Sequence, residues 1–180
     1  MTQPTSRHRS EAGTRRPGRG GSYRYPGRVA RRDRPSPVGL AAWESFLRAH
    51  LALTRRLDRE LVERHGLPLD WYDVLVQLHD AGGEATMGEL AGRLLISPST
   101  CTRVVARMAD AGLVERRVDP VDARVRHAVL TSDGKARLRE AAVTHLRGVQ
   151  RQFGRFVPDD AAASLRDRFD AMRDSAAAGD

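Results

Sequence analysis

The chain has a single cysteine, Cys101, so no disulfide can form within its 180 residues, a usage that fits a reducing cytoplasm. No apolar run approaches the roughly 18 residues that a membrane-spanning helix needs. The N-terminus also lacks the apolar core of a secretory signal, so neither membrane insertion nor export is expected. A Gly-rich phosphate loop and a nucleophile elbow are missing, which excludes the commonest catalytic frameworks and any cofactor they would hold. His50, His65, His79, His127 and His145 are scattered without a tight ligand spacing, and with one cysteine they predict no metal site. Lysine is nearly absent, Lys135 standing against 30 arginines, which speaks of a GC-rich coding sequence rather than of function.

Charge is concentrated rather than spread. Residues 1–39 hold ten arginines against Glu11 and Asp33, which accounts for the whole net charge of +8, and residues 40–180 balance at 21 basic and 21 acidic. The segment 1–37 is rich in Arg, Gly and Pro and poor in aliphatic residues, so it is expected to be a disordered tail. Two roles stay open for it: a source of counterion-release affinity for nucleic acid, or an inert extension. The rest of the chain is not generally basic, and any affinity for a polyanion must come from local placement.

Residues 86–131 supply that placement. Thr86 with Glu89 three residues on reads as a capping box, and Leu90 and Leu94 form the apolar stripe of a short helix. After Ile96, Ser97-Pro98 is a second helix start, and Gly112 is the left-handed stop of a helix ending near Ala111. Within this second helix Cys101, Val104 and Met108 recur at three- and four-residue spacings and should face a core, while Ser99, Arg103 and Arg107 occupy another face. Hydroxyls and guanidinium groups on one face suit phosphate contacts and guanine edges in a major groove. Val114–Val118 and Val125–Leu130 then alternate as two strands around a loop, 119–124, with Arg124 near its tip. An arginine on such a ribbon can enter a narrow minor groove. Asp119 and Asp122 in that loop suit charge pairing with neighbouring arginines better than they suit catalysis.

Two short helices and a basic hairpin make a winged helix-turn-helix, and the chain resembles the MarR family of transcriptional regulators over roughly residues 40–175. The matching pieces are LDWYDVLVQL, GELAGRLLISPSTCTRVVARMADAGLV, the DAR of Asp122 to Arg124, and LTSDG. The resemblance implies a mainly α fold with a small β-hairpin wing, a homodimer built on helices from both chain ends, and double-stranded DNA as partner. It implies a recognition helix carrying Ser97, Ser99, Thr100, Thr102, Arg103 and Arg107, with Arg124 and Arg126 in the wing and Asp122 orienting the wing by an ion pair. It also implies a crevice for a small aromatic or anionic effector, for which Trp43, Trp71 and Tyr72 are the candidates; core packing is the alternative for these aromatics.

The flanking segments fit that layout. A helix from Pro37 to about Arg64, ended by Gly66, carries Leu40, Trp43, Leu47, Leu51, Leu57 and Leu61 mostly on one side. Asp70 is expected to cap the next helix, with Asp73 favoured by its dipole. A helix after Thr131 carries Leu138, Ala142, His145, Leu146, Val149 and Phe153, and a last one follows Pro158 with Asp159 as cap. Residues 38–66 and 132–176 are thus expected to dimerise, with 67–131 as the winged lobe, and a twofold dimer predicts a near-palindromic operator. The expected function is a sequence-specific cytoplasmic repressor released by an effector, with activation left open. The alternative is an architectural protein coating nucleic acid through its basic tail. Cys101 reads as a small core residue; oxidation of a helix-end thiolate is the other reading, but the family's peroxide sensors place their cysteine in the first long helix, where this chain has none.

Overall fold

The computed structural model describes residue 30 and residues 34–178, so most of the expected tail lies outside the described residues. Helix α1 spans Pro37–His65; Ser36 caps it by accepting from the Gly39 N–H, and Gly66 ends it at φ 58°, where a residue without Cβ is least strained. Only Glu60 and Leu61 of this helix are buried. Its first half carries Trp43, Phe46, Leu47 and Leu51 into the open.

Helix α2 (Leu69–Asp80) does not start as the sequence suggests. Pro68 is its cap residue and offers no side chain, and the Leu69 N–H is instead accepted by Asp58 of α1 at 2.9 Å. Asp70 lies inside the first turn and accepts from the Trp71 N–H. The capping acceptor therefore comes from another helix. A left-handed turn through Gly82 and Gly83 leads to β1 (Glu84–Thr86), a three-residue strand that the sequence does not announce.

Thr86 ends β1 and caps α3 (Met87–Leu94), with both arms of the capping box formed to Glu89. Ser97 caps α4 (Pro98–Asp110), and Gly112 takes φ 73° beyond its end. Strands β2 (Val114–Val118) and β3 (Arg126–Leu130) pair antiparallel, Val118 opposite Arg126. On its other edge β3 pairs with β1, His127 opposite Thr86, so the wing hairpin supplies two strands of a three-stranded sheet ordered β1-β3-β2.

Thr131 caps α5 (Ser132–Gln152) by accepting from the Gly134 N–H, while its own hydroxyl reaches the Gly112 and Leu113 carbonyls. Helix and wing root are thereby tied together. Farther along, Gly148 lets α5 approach α1: a Cβ there would stand 2.7 Å from Leu57 Cδ2. Glu60, buried in that seam, is bracketed by Arg56 at 2.9 Å and Arg151 at 2.5 Å, which compensates a charge that would otherwise be costly to bury. A 3-10 turn at Gly154–Phe156 precedes α6 (Asp159–Ala178); Asp159 is the first residue of that helix rather than its cap.

The core lies between α2, α3, α4, the sheet and α5, around Leu61, Leu67, Leu75, Leu78, Leu90 and Met108. Burying a Leu or Met side chain contributes about 1.5–3 kcal/mol. That core fixes the orientation of α4.

Candidate nucleic-acid interface

Helix α4 is divided along its length. Cys101, Val104, Val105 and Met108 are buried, while Ser99, Thr102, Arg103 and Arg107 are exposed. Burial raises the Cys101 thiol above its ordinary range, so the residue is an inert core thiol and the oxidation reading has no support.

The hydroxyls at the start of α4 are already employed. Ser97 accepts from the Thr100 N–H, donates to Thr100 Oγ1 at 2.9 Å and lies 3.1 Å from Ser99 Oγ. Thr102 donates to the Pro98 carbonyl. Their lone pairs remain for an incoming donor, but their first task is to hold the helix end. Arg103 makes no ion pair among the described residues and stands clear on the outer face. Arg107, one turn on, lies with its guanidinium 5.6 Å from the Trp71 ring centroid.

In the wing, Asp119 Oδ1 accepts from the Val121 and Asp122 N–H groups and Oδ2 meets His127 Nε2 at 3.0 Å. These donors, the two amides first and then the histidine, hold its carboxyl below the ordinary aspartate range. Asp122 does not make the ion pair that the resemblance implies: among the described residues its Oδ1 accepts from the Arg124 N–H at 2.9 Å instead. A backbone contact is local and shapes the tip directly. Arg124 is left exposed there, whereas Arg126 turns its guanidinium back onto the Ala123 and Val125 carbonyls. Arg126 therefore buttresses the loop rather than projecting from it.

The three aromatics expected in a crevice are separated. Trp43 is 51% exposed on α1, beside Phe46 at 5.8 Å, which in turn meets Phe169 of α6 at 5.5 Å. Trp71 packs between the core and Arg107, as the alternative reading has it. Tyr72 alone lines a pocket, of about 560 Å³, between α2, the Gly82-Gly83 turn and α5, together with Val76, His79, Lys135, Leu138 and Arg139. Its ring leans on His145 at 4.5 Å; burial raises the Tyr72 hydroxyl and lowers the His145 imidazole, so both are held neutral. The sequence signal missed was Lys135 and Arg139, two cations at i and i+4 after LTSDG, which share one side of α5. Among the described residues no three His, Cys, Asp or Glu side chains come together as a metal site, and no helix is long and apolar enough to cross a membrane.

The MarR family model matches residues 65–125, from the last residue of α1 through the wing tip. The structure of Sco3205, a MarR family transcriptional regulator from Streptomyces coelicolor solved in complex with DNA, is 28% identical, covers 78% of this chain and 92% of its own, and superposes with a TM-score of 0.75. Over residues 65–125 the chain matches the MarR family, and its described fold is that of MarR family regulators. AbsC, another MarR family regulator of Streptomyces coelicolor, is 27% identical with a TM-score of 0.75 over 80% of this chain and 97% of its own. An uncharacterized HTH-type transcriptional regulator of Bacillus subtilis, YsmB, is 29% identical over 119 residues, 66% of this chain and 81% of its own length. These likenesses support a DNA-binding transcriptional regulator rather than an enzyme.

Proposed function

We propose that this regulator is a homodimeric, sequence-specific repressor of the cytoplasm that inserts α4 into the major groove and Arg124 into the adjoining minor groove, and that a small aromatic or anionic effector releases. The observation that carries the reading is the division of α4: a buried apolar side fixes the helix, so Ser99, Thr102, Arg103 and Arg107 are presented as a rigid set. Ser97 and Thr100 organise the helix end that approaches the phosphates, and Arg126 and Asp122 shape the wing that carries Arg124.

Dimerisation is supported by what the single chain leaves uncovered. The apolar side of α1's first half is open, Leu146 of α5 is 64% exposed, and no described residue of α6 is buried. A second copy covers these surfaces and sets two α4 helices on a twofold axis, which calls for half-sites about one helical turn, roughly 10 bp, apart.

The pocket supports the effector. Lys135 and Arg139 stand at its rim without a carboxylate partner among the described residues, over Tyr72, Val76 and Leu138. Cations above an apolar floor suit an aryl carboxylate. A ligand that favours the nonbinding arrangement by about 2.7 kcal/mol lowers DNA affinity about 100-fold.

Footprinting on the intergenic DNA beside the gene, with and without small aromatic acids, tests the reading. A protected near-palindrome bound about 1000-fold more tightly than random duplex at fixed salt is expected; equal affinity for both would instead make the protein a nonspecific coat. Arg103→Ala should cost about 1–3 kcal/mol on the operator and much less on random DNA. Arg124→Ala should weaken binding most where an A/T-rich step faces the wing.

A further inference from the structure

His127 lies in β3 with its side chain 18% exposed, and each ring nitrogen faces a different carboxylate. Nε2 is hydrogen-bonded to Asp119 Oδ2 at 3.0 Å, at the root of the wing loop. Nδ1 is 3.0 Å from Glu84 Oε1 on β1; the atoms are close but misaligned, so this buried nitrogen has no completed hydrogen bond. A neutral imidazole has one N–H and satisfies one of the two carboxylates, leaving a bare lone pair against the other. An imidazolium donates to both.

The charged groups around the ring come from every neighbouring segment. Arg117 of β2 sits opposite His127 in the ladder and 3.4 Å from Glu84. Glu89, in the first turn of α3, is close enough for its carboxyl to feel the His127 charge. Arg126, next along β3, is turned away onto the loop carbonyls. From Asp119 the connection continues through the Val121 and Asp122 amides, and from Asp122 to the backbone of Arg124. Glu84 and Arg124 are thus joined through one histidine.

We propose that His127 is the positioning residue of the wing: with a proton on each ring nitrogen it bridges Glu84 and Asp119 and fixes Arg124 for DNA, so operator affinity rises on acidification. The DNA readout rests on the wing contact proposed above; the order of the wing does not.

Two measurements on the full chain test this. Operator binding at fixed salt between about pH 6 and pH 8 is expected to tighten about five-fold on acidification in the parent, and by less than about two-fold in His127→Gln, which keeps one neutral donor. Glu84→Gln, at a half-exposed position, should flatten the profile in the same way and serves if the histidine variant fails to fold. Independently of DNA, hydrogen exchange of the amides of residues 119–126, corrected for intrinsic rates, should slow on acidification in the parent only. An identical pH profile in the parent and both variants overturns the proposal, as does wing protection that ignores pH. If protection responds to pH while no duplex is preferred over random DNA, the latch stands and the sequence-specific reading falls.

Discussion

The Arg107 guanidinium lies over the Trp71 ring, 5.6 Å from its centroid, and so joins the exposed face of α4 to the helix that borders the pocket. Trp71 and Tyr72 are adjacent on α2, one touching Arg107 of α4 and the other lining the pocket. A shift of α2 caused by a ligand beside Tyr72 therefore changes the support under Arg107.

Trp71→Phe keeps an aromatic in the core but weakens the attraction for the cation, which is worth about 0.5–1 kcal/mol at an exposed site. Operator affinity should fall about two- to five-fold by fluorescence anisotropy. Random-duplex affinity should stay level. An unchanged operator affinity would show that Arg107 does not depend on the ring.

Leu95 occupies the turn between α3 and α4 at φ 54°, a left-handed conformation that costs an L-residue about 1–2 kcal/mol. It is 75% exposed, so little packing offsets that cost. Leu95→Gly should stabilise the fold by about 1 kcal/mol and raise the thermal midpoint by about 2–4 °C. A lower midpoint would mean that the exposed leucine makes a contact in the assembled protein.

How far the chain could be read in advance follows from the distance over which each feature is decided. The capping box of Thr86 and Glu89, the Ser97-Pro98 start, and the glycine stops at 66 and 112 are settled within four residues, and they stand where the periodicity predicts. The cap of α2 is supplied by Asp58, eleven residues earlier on another helix, so Asp70 was the natural but mistaken candidate. Strand β1 is three residues long and exists because β3 offers it an edge, which no local alternation records. The separation of Trp43, Trp71 and Tyr72 is likewise tertiary, since aromatics on two helices give no sign of which will share a pocket. Asp122 looked like an ion-pair partner because charge is visible in sequence, and its bond to the Arg124 amide is not.

Gly134 is required where α5 meets the root of the wing. A Cβ there would stand 2.1 Å from the Leu113 carbonyl oxygen, a backbone atom that cannot swing aside. Gly134→Ala should cost at least about 2 kcal/mol by denaturant titration. Gly88, inside α3 with open space where its Cβ would be, is the control: Gly88→Ala should gain about 0.5–1 kcal/mol. Equal effects at the two sites would contradict the close approach of α5.

Asp73 gives the fold a dependence on pH whose sign can be worked out. Its carboxyl is pushed up to about 6, by burial first and then by the neighbouring Asp70 charge. The residue as a whole is exposed, so the carboxyl is crowded by protein on one side and screened by water on the other. Because the folded state holds this proton more tightly than the unfolded chain, the stabilisation is complete below about pH 4 and is lost as pH rises through about 6. Asn is neutral throughout and does not suffer that loss. Asp73→Asn should therefore match the parent near pH 4 and exceed it at pH 7, by under about 1 kcal/mol given the screening. Thermal melts of both proteins at the two pH values measure the difference. A variant that gains stability equally at both would locate the effect in packing rather than in charge.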